Sequence, residues 1–135
     1  MDPTAIVIGS VGLVAAGLAV YFVTRSASRG GIEVNAAIGI RTRLTKSSQQ
    51  AWEAAHRAAL PFTLVACLLA LVCAVISVVA VVMANTVGSS RAAPVVVMLA
   101  GYAGLLVLMT TATVSGNRAV RSLTRTSRTD VGDVP

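Results

Sequence analysis

The sequence predicts an all-α polytopic membrane protein, with three transmembrane helices and a short amphipathic helix at the membrane surface. Three observations carry this. Charged residues make up 12% of the 135-residue chain, about half the share of a soluble domain. Aromatics make up only 4% against 56% hydrophobic residues, so the apolar content is not the dense ring packing of a soluble core. The apolar residues also gather into three runs without a charge, about 5–24, 61–84 and 94–116.

The first run is long enough to cross about 30 Å of hydrocarbon at 1.5 Å per residue. Tyr21 and Phe22 stand near its end, where rings favour the interface, and Arg25 and Arg29 follow. The start carries Asp2, and the basic residues come after the apolar stretch. That order reads as a retained anchor rather than a cleaved leader.

Residues 25–60 are polar and basic, and Gly30-Gly31 marks a break after the first helix. Ser47 and Gln50 have capping-box spacing, which predicts a short helix over about 48–59. Trp52, Ala55, His56 and Ala59 fall on one stripe of it, so it reads as a helix lying along the surface. Glu53 and Arg57 are four apart, in the order that favours a surface ion pair.

The second run opens at Pro61, which suits a helix's first turn. Ala66, Ala70 and Ala74 repeat every four residues, as do Cys73 and Ser77. Such small-residue stripes let helices approach closely in lipid. A short loop with Arg91 leads to the third run, where Ala100, Gly101 and Gly104 offer a similar surface. A single three-helix domain is expected over residues 1–117. A basic tail follows over 118–135, with disorder expected toward its end.

The position of the charges separates two readings of the net +6. Residues 25–60 carry six Lys or Arg, the tail four, the loop after the second run one, and the N-terminus none. Three spans put the two basic segments on one side, which the positive-inside bias makes the cytoplasm, with the N-terminus outside. The charge therefore serves orientation, and nucleic acid is not an expected partner.

Chemistry is sparse. The spans hold no Asp, Glu, Lys, Arg or His, and intramembrane ion or proton pathways need such groups. No phosphate loop, paired carboxylates or Cys/His metal cluster stands out, and His56 is the only histidine. The chain is expected to be non-catalytic, with no metal and no cofactor. Polar residues concentrate between Asn35 and Arg57, and two readings of them stay open. In one, Trp52 anchors an interfacial helix and His56 bonds a loop carbonyl. In the other, the loop folds back on the helix and builds a polar pocket, where Arg41 binds a carboxylate, phosphate or headgroup.

The same stretch resembles the SdpI family of small bacterial membrane proteins. The resemblance rests on Asn35, then Ile38-Gly39-Ile40-Arg41-Thr42, Thr45, Ser47, Trp52 and His56-Arg57, in matching order and spacing. It implies an interaction or structural site at Asn35, Gly39, Arg41, Thr42, Trp52, His56 and Arg57. It also implies residence in the bacterial plasma membrane. The function implied is protection against a membrane-active toxin, or related signalling at the membrane. The partners expected are lipids and other membrane proteins. The alternative role is an accessory subunit of a larger membrane complex, such as a respiratory or envelope-synthesis assembly.

Overall fold

The computed structural model describes residues 2–34, 36–88, 90 and 92–132, with side chains to residue 126. The described residues form three helices and no strand: α1 (Pro3–Ala27), α2 (Gln49–Val87) and α3 (Ala92–Gly132). Each is long and apolar enough to cross a membrane. In their most apolar stretches only 22%, 28% and 22% of residues are buried. Leu68, Val75, Val79, Leu106 and Val107 are among the large apolar side chains left open. A soluble fold does not leave such faces bare, whereas lipid solvates them.

The expected surface helix is not a separate element. Residues 49–60 are the first turns of α2, which continues past Pro61. An interior proline removes one N–H and crowds the carbonyl four residues back, yet the helix is not interrupted there. The cap also moves by one position. Ser48 Oγ accepts from the Ala51 amide at 3.1 Å, while Ser47 Oγ donates to the Leu44 carbonyl at 2.7 Å. Glu53 accepts from Gln49 Nε2 at 3.1 Å, and Arg57 is exposed. The helix of the basic tail is continuous with α3 as far as Gly132.

The chain forms two compact units. The first comprises residues 2–21 and 63–109. Its core is two small clusters. Leu13, Ala66, Ala70 and Leu105 make one, and Ile6, Val81 and Met98 make the other. The alanine stripe of α2 is buried, with Ala66, Ala70 and Ala74 at 5% exposure or less. α1 meets it at Gly17, where a Cβ would lie 3.0 Å from that of Ala70. On α3 it is Gly101 that packs inward, against Leu13 and Cys73, while Ala100 is exposed. Hydrogen bonds also cross between helices in this unit. Tyr102 Oη donates to the Gly9 carbonyl at 2.8 Å, and buried Ser77 Oγ donates to the Pro94 carbonyl at 3.1 Å.

The second unit comprises residues 22–62 and 110–132. α1 ends here in a Schellman turn. The Gly31 amide bonds the Ser26 carbonyl at 2.9 Å and the Gly30 amide bonds that of Ala27 at 3.3 Å. Gly30 takes φ +76°, the left-handed conformation this cap requires. The chain then runs as turns and bends to Ser48. Leu44 of that loop packs against Ala51, Ala55 and Val120, joining loop, α2 and α3 in one cluster.

Candidate functional site

The loop between α1 and α2 folds back onto α2, and the contacts that hold it involve the motif residues. Gln49 Oε1 receives the Val34 amide at 3.1 Å and fixes the loop's entry. Further on, the Ile40 amide donates to His56 Nε2 at 2.9 Å. A ring nitrogen that accepts carries no proton, so the proton of neutral His56 sits on Nδ1. That nitrogen lies 2.8 Å from the Trp52 carbonyl and donates to it. Both nitrogens are thus used, and the residue is fully buried. Burial holds the imidazole below its ordinary pKa of 6.5, against a smaller opposing effect of the bond to Trp52. Protonation would place two N–H groups face to face at Ile40.

Trp52 lies one turn earlier on α2 and is also fully buried. Its ring centroid is 4.3 Å from that of His56, tilted by 45°. It is therefore part of a packed interior, not an interfacial anchor. Among the described residues its buried indole Nε1 has no hydrogen-bond partner. Gly39 covers the pair. It has φ +108°. A Cβ there would stand 2.8 Å from His56 Nε2 and 2.9 Å from Trp52 Cη2 and Cζ2. Only glycine supplies both the backbone angle and the room.

Thr42 and Thr45 close the loop. Buried Thr45 Oγ1 donates to the Ile40 carbonyl at 2.6 Å and accepts from the Thr42 amide at 3.0 Å. Thr42 Oγ1 accepts from the Thr45 amide at 3.2 Å and donates to Asn117 Oδ1 of α3 at 2.7 Å. The threonines thus satisfy loop backbone groups that would otherwise be stranded. Asn117 then ties the loop to the third helix.

The structure therefore brings together Gly39, Thr42, Trp52 and His56. Arg41 and Arg57 stay exposed at its edge, and Asn35 lies outside the described residues. His56 bonds a loop amide, not a loop carbonyl. Asn117 was not singled out in the sequence; no periodicity links positions 75 residues apart. Thr45 had a local signal, since a hydroxyl three residues from another is a common way to satisfy turn backbone. Among the described residues, no group of three or more His, Cys, Asp or Glu could hold a metal.

The SdpI/YfhL protein family matches residues 32–116, which take in the loop from residue 32 onward, all of α2 and α3 as far as Gly116. The chain belongs to the SdpI family. With three helices able to span a bilayer, it is a multi-pass membrane protein of the SdpI type. No curated protein and no solved structure matches it. The matched region ends at Gly116, one residue short of Asn117.

Proposed function

We propose that this SdpI-family protein acts by contact, without catalysis, and protects the cell against a membrane-active toxin or relays a related signal. The observation that carries this is the state of His56. The chain's one histidine is the natural candidate for acid–base work, yet both its nitrogens are engaged in holding the loop. A general base needs a nitrogen within reach of a substrate proton. What the unit offers outward is a braced loop edged by arginines. We further place the loop and the C-terminal end of α3 in the cytoplasm, with the N-terminus outside, on the charge asymmetry. The membrane in question is then the bacterial plasma membrane.

Deleting the gene should sensitise cells to one membrane-active toxin and leave envelope complexes unchanged in composition. A second reading, as an accessory subunit, draws on a groove of about 540 Å³ in the first unit. Val11, Val14 and Leu18 of α1 line it with Leu71, Val75 and Val79 of α2, a surface suited to a partner's helix. Recovery of fixed partners in constant ratio from mild detergent, with toxin sensitivity unaffected by deletion, would favour that role instead.

A further inference from the structure

The apolar stretch of α2 begins at Pro61, and Arg57 stands four residues before it. That of α3 ends near Gly116, and Arg118 stands two residues after it. At 1.5 Å per residue both lie within about one turn of the hydrocarbon, at the depth of lipid headgroups. The loop adds two more. Arg41 lies between Ile40, whose amide is held by His56, and Thr42, whose hydroxyl is held by Asn117. Arg43 follows directly. All four arginines are exposed, and each adjoins a residue in one of those two cross-element hydrogen bonds. Two bonds thus bring the backbone positions that carry four arginines, from the loop, α2 and α3, into one neighbourhood.

Few acids oppose them. Glu53 takes a hydrogen bond from Gln49, and Glu33 is exposed earlier in the loop. The remaining acids of this unit's sequence, Asp130 and Asp133, are at least twelve residues beyond Arg118.

We propose that Arg41, Arg43, Arg57 and Arg118 form a binding site for the phosphate of an anionic phospholipid, assembled by the loop's bonds to His56 and Asn117. Guanidinium binds phosphate bidentately, and the closeness of Arg57 and Arg118 to the apolar stretches favours a lipid over an acidic protein. This site stands apart from the protective role and can be measured on the purified chain. It also differs from general attraction of basic flanks to an anionic leaflet, because it depends on bonds that carry no charge.

The test is native mass spectrometry of the full chain in detergent, titrated with phosphatidylglycerol or with phosphatidylcholine of the same acyl chains. Phosphatidylglycerol should be retained preferentially. Removing two charges as Arg41→Gln with Arg118→Gln should weaken it roughly ten- to thirtyfold, and Arg125→Gln should do far less. Thr42→Val and Asn117→Ala, which alter no charge, should each weaken it several-fold while the helical circular dichroism is kept. Equal retention of the two lipids overturns the site. So does an effect of Arg125→Gln as large as that of the pair, or full retention in both uncharged variants. Binding of a soluble poly-glutamate peptide in place of phosphatidylglycerol would assign the patch to an acidic protein and equally overturn it.

Discussion

At the scale of single residues, Gly39 and His56 hold the loop, and each makes a distinct prediction. Gly39→Ala adds a Cβ within 2.9 Å of two rings, at a backbone angle alanine avoids. Its expected cost is about 1–3 kcal/mol from the backbone alone, read as a lower unfolding midpoint in detergent; an unchanged midpoint would refute the packing described. His56 is pushed below 6.5 in the fold, whereas the unfolded chain titrates at that ordinary value. Between the two, the unfolded state holds more protons. The stability from neutral His56 is therefore complete above 6.5 and is lost as pH falls toward the lowered value. Unfolding midpoints should drop on acidification through this window, and His56→Gln should flatten the dependence. The residue types pointed to this region but not to its chemistry. Charge makes Arg41 conspicuous in the sequence, but the loop that carries it is held by uncharged groups, an imidazole, two hydroxyls and an amide, whose partners are set only by the folded path.

At the scale of elements, the three spans were legible because uncharged runs of this length have few other uses. In hydrocarbon every backbone N–H and C=O must bond within its own helix, so composition alone selects the helix. Boundaries were less legible. Pro61 reads as a start, but a helix with turns on both sides carries one missing bond without breaking. Ser47 and Ser48 are adjacent, and their side chains alone do not say which one caps. These two positions should respond oppositely. Ser48→Ala should lower stability by about 1 kcal/mol through the lost cap. Pro61→Ala restores an N–H to the interior of α2 and should raise the thermal midpoint. A destabilising Pro61→Ala would mean that the ring shapes α2 in a way the other elements need.

At the scale of the whole molecule, the distribution of charge makes one prediction. Ten of the eleven Lys and Arg fall in the second unit's sequence, so the loop and the end of α3 should share one side of the bilayer. Single cysteines at Arg43 and Ser122, in a background without Cys67 and Cys73, should react with an impermeant maleimide only after the cells are opened. One at Gly88 should react in intact cells. Labelling of Arg43 and Ser122 from opposite sides would contradict three spans. That expectation comes from counting charges alone. The tie between Thr42 and Asn117 was not legible in the sequence, because the two residues meet only once both helices are in place.

Because Trp52 is the chain's one tryptophan and sits in contact with His56, the protein carries its own optical gauge. An indole shut away from solvent emits toward the blue, and a protonated imidazole beside it quenches that emission. Light from this single ring therefore registers, without any label, whether the loop is seated and whether its histidine has taken up a proton.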